Sequence, residues 1–86
     1  MNIEIMYFGR PSEFLLITSE RLKLPDNNIT IKYLLDELMR RGERWAYELQ
    51  ASHVICTINE IAANLSDVIK DGDEVAIFSR KSIFEK

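Results

Sequence analysis

Only one stretch of this chain carries a helical apolar stripe of useful length. Ile31, Leu34, Leu35 and Leu38 fall at i, i+3, i+4 and i+7 behind a Thr30 suited to an N-cap, and Gly42 ends the run. In 86 residues, a single such helix has to bury its stripe against a sheet that the other segments build together. On the outer face, Asp36 with Arg40 and Glu37 with Arg41 place acid four residues before base, which predicts solvated ion pairs.

The flanking segments supply the strands. Asn2 to Phe8 alternates, with Ile3, Ile5 and Tyr7 in one phase and Glu4, Met6 and Phe8 in the other, until Gly9 breaks the pattern. Pro11 to Leu16 suits a short helical turn with proline in its first turn. Glu20 to Leu24 alternates again and closes on Pro25-Asp26-Asn27-Asn28, so the first two strands form a wide hairpin. Glu43 to Gln50 is a second short helix, with Trp45 as a core plug. His53 to Ile58 is a strand rich in β-branched residues, with Val54, Cys56 and Ile58 in its inward phase, and Asn59-Glu60 turns it into a short strand from Ile61 to Ala63. Asp71-Gly72 supplies a turn before the last strand, Glu74 to Phe78. The expected class is α+β, a mixed sheet of about five strands packed on one main helix, with a domain over residues 1–78 and a tail over 79–86.

In that arrangement the first and last strands lie side by side and parallel, since the helical crossover separates them. Their second phases then share the face away from the helix, where Met6, Phe8, Ala76 and Phe78 form an apolar patch. Such a patch is either a protein interface or is covered by the segment from Gly9 to Ser19.

Chemistry is sparse. The net charge of −3, with eleven scattered Lys and Arg, argues against a nucleic-acid surface. No apolar run approaches the roughly 20 residues that cross a bilayer, and one cysteine allows no internal disulfide, so a reducing, cytoplasmic setting is expected. His53 has no Ser, Cys or acid at a pairing distance in sequence, and the inward phase of Cys56 describes a buried thiol. One His and one Cys make no closed metal site, and three isolated glycines make no phosphate loop; neither metal nor cofactor is expected. Catalytic residues are therefore expected to be none.

Several of these segments together resemble a known family. Ile5-Met6-Tyr7-Phe8-Gly9-Arg10, Arg44-Trp45-Ala46, Val54 through Glu60, and Leu65 through Phe78 with its Asp-Gly-Asp-Glu-Val turn are similar to the small subunit of molybdopterin synthase, within the MoaD/ThiS sulfur carriers. The resemblance covers residues 2–78. It implies a β-grasp, ubiquitin-like fold and a non-catalytic subunit that binds a MoaE-like large subunit, an E1-like activating enzyme, or both. It implies binding through the face that carries Phe8, Ala62 and Phe78, with Met6 and Ala76 beside them.

The tail departs from that family. Its members carry a C-terminal Gly-Gly whose carboxylate becomes a thiocarboxylate, threaded as a bare backbone into the large subunit. Here the residues after Phe78 are Ser79-Arg80-Lys81-Ser82-Ile83-Phe84-Glu85-Lys86, with Ile83 and Phe84 in the register of the glycines and no glycine after Gly72. The expectation is a protein-binding subunit without sulfur carriage. Two alternatives are a working carrier with an atypical tail and a self-associating module whose Ile83 and Phe84 dock on a neighbour's patch.

Overall fold

The computed structural model describes residues 1–25 and 28–80; the middle of the expected turn at Pro25–Asn28 and the residues Ile83 and Phe84 lie outside them. Strand β1 (Asn2–Phe8) is followed by helix α1 (Arg10–Leu15) and strand β2 (Ser19–Lys23). The main helix α2 (Ile31–Met39) and the short α3 (Glu43–Glu48) lead to β3 (Val54–Ile58), β4 (Ile61–Ala63) and β5 (Glu74–Ser79). The sheet order is β2-β1-β5-β3-β4, with β1 and β5 parallel and every other neighbouring pair antiparallel. This is the β-grasp architecture, with α2 as the grasped helix.

The stripe on α2 behaves as its spacing predicts: Ile31, Leu34, Leu35 and Leu38 are all buried, against Ile3, Ile5, Val75, Ile77, Val54 and Cys56 from the sheet. Thr30 caps the helix, its Oγ1 accepting from the Tyr33 N–H at 3.1 Å. Beyond it, the backbone N–H groups of Ile31 and Lys32 donate to the carbonyls of Asp67 and Leu65, so the loop before β5 satisfies the helix start that the cap leaves open.

Register is fixed at the opposite end of β5. Gly72 adopts φ 85°, a left-handed value that an L side chain resists, although a Cβ there would meet nothing within 4 Å. The turn it makes is bonded to both neighbouring strands. The Asn2 N–H donates to Asp71 Oδ1 at 2.7 Å, and the Gly72 N–H donates to the Asn2 carbonyl at 2.8 Å. Asn59 holds the other side, its Nδ2 donating to Asp73 Oδ1 and its Oδ1 accepting from the Glu74 N–H. Polar residues of a loop thus set which rungs of β1, β5 and β3 face each other.

Two expectations change. The ion pairs on α2 are Lys32 with Asp36 at 2.8 Å and Glu37 with Arg40 at 3.1 Å, not Asp36 with Arg40 and Glu37 with Arg41. The helix ends at Met39 with Arg40 as its C-cap, so Arg41 has left the i, i+4 row. It reaches β2 instead, where its guanidinium grips both oxygens of Glu20 at 2.8 and 2.9 Å. The last strand also runs one residue further than its alternation predicts, Ser79 pairing with Val54, and the Arg80 N–H continues the ladder to the His53 carbonyl.

Glu20 is the centre of a polar cluster between the β1–β2 hairpin and the α2–α3 junction. The Tyr7 hydroxyl donates to its Oε2 at 2.6 Å, Trp45 meets the Tyr7 ring edge-on at 5.9 Å, and the Arg41 guanidinium lies 4.6 Å above the Trp45 ring. Burial alone raises the Glu20 carboxyl; hydrogen bonds from Arg41 and Tyr7 and the Arg41 charge outweigh it and hold the group below its ordinary value. A carboxyl depressed in the fold contributes stability that is present above its unfolded pKa and is lost as pH falls through the folded one. Glu20→Gln should therefore be less stable than the parent at pH 7, and the gap should narrow once pH falls below about 4.3, the ordinary glutamate value. Urea denaturation across that range measures it, and a gap independent of pH contradicts the assignment.

Candidate functional site

The sheet has one face under the helices and one face open. On the open face, each row of side chains follows from the register. Phe8, Phe78 and Ile55 form one row across β1, β5 and β3, and Met6, Ala76, Thr57 and Ala62 form the next, reaching β4. Glu4 and Glu74 close the apolar area on the side of the Asp71–Asp73 turn, with Arg21 of β2 opposite Glu4. The patch thus has an apolar middle and a charged border.

Phe8 and Phe78 stack with ring centroids 4.8 Å apart and planes 10° from parallel, within the separation at which aromatic pairs attract. Phe8 remains 38% exposed even so. Met6 and Phe78 are half-buried and Ala62 is exposed. Ala76, flanked by Met6 and Thr57 on the adjoining strands, is only 9% exposed and forms the floor of the patch.

Periodicity alone omits two members of this surface. Ile55 and Thr57 stand beside Phe78 and Ala76 because β3 is the neighbour of β5. Their phase, opposite to Val54 and Cys56, is legible in the sequence; the strand order that brings them to the patch is not.

The segment from Gly9 to Ser19 does not cover this face. Gly9 turns the chain at φ 69°, a left-handed value, and α1 then packs beside α3 with Pro11 buried. Arg10 reaches Glu48 of α3 at 3.5 Å and lies 4.5 Å above the Phe14 ring, while Arg44 of α3 donates to the Phe14 carbonyl. These contacts hold α1 on the helix side of the sheet. At the same end, β5 stops at Ser79, one residue past the Phe8–Phe78 pair, and the Arg80 N–H donates to the His53 carbonyl, so the residues after β5 begin at the rim of the patch.

The residues capable of acid–base or nucleophilic chemistry are kept apart. The His53 ring packs on Tyr47 at 4.9 Å, with Nδ1 against the Tyr47 carbonyl at 2.8 Å. Cys56 is 5% exposed on the helix side, and burial pushes its thiol up to about 12, far from a reactive thiolate at neutral pH. Among the described residues, no group of three or more His, Cys, Asp or Glu is arranged to hold a metal ion, and no helix is long and apolar enough to cross a membrane. What the open face offers is an apolar patch with a charged border.

Comparison with known proteins relates the fold to a family. The model of the ThiS family matches residues 5–79. The molybdopterin synthase sulfur carrier subunit of Haemophilus influenzae is 28% identical over 76 residues, 88% of this chain and 91% of the relative. A putative molybdopterin converting factor subunit 1 from Pyrococcus furiosus superposes with a TM-score of 0.78 at 22% identity, covering 92% of this chain and 97% of that one. A protein–protein complex of subunits 1 and 2 of molybdopterin-converting factor from Helicobacter pylori contains a chain matched at a TM-score of 0.63 and 22% identity, covering 92% of this chain and 93% of that one. At these identities the solved structures establish a shared fold.

A surface residue and a core residue should respond differently to truncation. Phe8→Ala should cost about 0.5–1.5 kcal/mol, the worth of an aromatic pair, because its ring lies outside the core. Leu34→Ala, at a position with no exposed surface, should cost about 2–5 kcal/mol. Urea denaturation of the two variants separates them; equal losses would place Phe8 in the core after all.

Proposed function

The chain belongs to the ThiS family, and from that membership we propose that it serves as the small, non-catalytic, protein-binding subunit of a molybdopterin-synthase-like assembly. One observation carries this reading: an uncovered apolar patch and the root of the C-terminal tail lie at the same end of the sheet. A partner seated on Phe8 and Phe78 receives the tail directly. Met6 and Ala62 widen the contact and Ala76 lets the partner approach the backbone between them. The Helicobacter pylori complex, in which a chain of this fold is joined to subunit 2, supports a large-subunit-like partner. An E1-like activating enzyme is a second candidate for the same face.

On this reading the chain binds without carrying sulfur. The family reaction needs a slender backbone at the end of the tail, and Ile83 and Phe84 put a β-branched side chain and an aromatic ring in the register of the two glycines. Replacing Phe8 with Asp places a charge in the centre of the contact, where it must be desolvated without a partner. Co-purification with a large subunit should therefore be lost in Phe8→Asp while its circular dichroism stays that of the parent. If parent chain and large subunit elute separately, or if the variant binds as well as the parent, the face is not the interface.

The 28% identity to a sulfur carrier subunit favours a second reading, a working carrier with an atypical tail. The two differ in one measurement. After incubation with an activating enzyme, ATP and a sulfur donor, the intact mass should stay unchanged; a gain equal to one oxygen replaced by sulfur would establish carriage.

A further inference from the structure

Strand β3 is longer than the strand that covers its outer edge. Its bonds to β5 come from odd-numbered residues, since the Arg80 N–H donates to the His53 carbonyl and the Asn59 N–H to the Glu74 carbonyl on the register of that ladder. The N–H and C=O groups of Val54, Cys56 and Ile58 therefore point the other way, toward β4. Ile58 and Cys56 meet Ile61 and Ala63 there. The next rung of the alternation would join Val54 to Leu65, and it is missing. Asn64 and Asp67 bond to each other in a turn, and the Leu65 carbonyl accepts from the Lys32 N–H of α2. Among the described residues no group bonds the Val54 N–H or carbonyl, although Val54 is only 4% exposed. A backbone donor and acceptor held so far out of water call for a partner.

In place of the missing rung lies a cleft of about 180 Å³ between α2 and the start of β3. One water needs about 10–15 Å³, so the cleft is larger than the solvation of two backbone groups requires. Leu35, Ala63 and Leu65 line it with apolar surface, and Arg80, across from His53 in the register, adds a cation. The ladder has room for one residue there. Ala63 occupies the rung on one side, and the turn over residues 51–53 closes the other, with Ala51 in the cleft wall. A strand cannot run through such a gap, but a chain end can enter it.

We infer that this cleft binds the C-terminal end of an extended peptide from another protein, whose last residue supplies the missing rung to Val54. That residue runs antiparallel to β3, as β4 does. Its N–H donates to the Val54 carbonyl, and one carboxylate oxygen accepts from the Val54 N–H. The antiparallel direction carries the terminus toward the His53 end of β3, where Arg80 receives the carboxylate and selects it over an amino terminus. An apolar last side chain rests on Leu35 and Leu65. The site lies on the helix side, so it does not depend on what binds Phe8 and Phe78.

Amide NMR of the full chain, titrated with acetyl-Ala-Ala-Leu, tests the proposal. The Val54 amide should shift, and its hydrogen exchange should slow about tenfold or more at saturation. The same peptide with an amidated C terminus should bind about fivefold more weakly or worse, as should the acid peptide with Arg80→Gln, a replacement at an exposed position that the fold tolerates. A Val54 amide unmoved at millimolar peptide overturns the inference by leaving the rung to water. Equal affinity for the amidated peptide overturns it, and so does a shift map centred on Phe8 and Phe78. Protection of Val54 that grows with protein concentration in the absence of peptide overturns it as well, by assigning the cleft to a second copy of the chain.

Discussion

The parallel pairing of β1 with β5 is the constraint on which the rest of the structure depends. These strands come from the two ends of the described chain, so their alignment cannot be set by a short hairpin and needs its own device. The device is the turn before β5, in which Gly72 supplies the backbone conformation while Asp71, Asp73 and Asn59 bond the turn to β1 and β3. A slip of one residue would send Val75 and Ile77 to the open face and Ala76 and Phe78 into the core. Side-chain bonds at one end of the sheet therefore decide what both of its faces display.

With that register in place the molecule divides its labour between faces. The helix side carries the stability, through the α2 stripe and the inward residues of β1, β3 and β5. The Tyr7–Glu20–Arg41 cluster then ties the first hairpin to the α2–α3 junction, with Trp45 filling the gap beside it. These contacts lie on the helix side, so the core residues do not depend on what covers the open face. That face presents the stacked Phe8–Phe78 pair over an alanine floor.

The end of β5 borders both sides. Arg80, the last described residue, stands two residues beyond Phe78 of the aromatic pair on one face and lines the α2–β3 cleft on the other.

The sequence by itself determined the elements and their phases: the α2 stripe, the inward Cys56, the alternation of β1 and β5, and the four apolar residues these strands turn away from the helix. Those properties depend on the repeat of the backbone within each segment, which neighbouring residues fix. Tertiary structure alone decided that β3 lies next to β5 and brings Ile55 and Thr57 to the patch, and that Ala76 is its floor. It also decided that α1 joins the helix side and leaves Phe8 uncovered, and that Arg41 abandons its helix row for Glu20 on β2. Each of these pairs residues distant in sequence, and such pairs depend on how the chain closes on itself, which no local periodicity records.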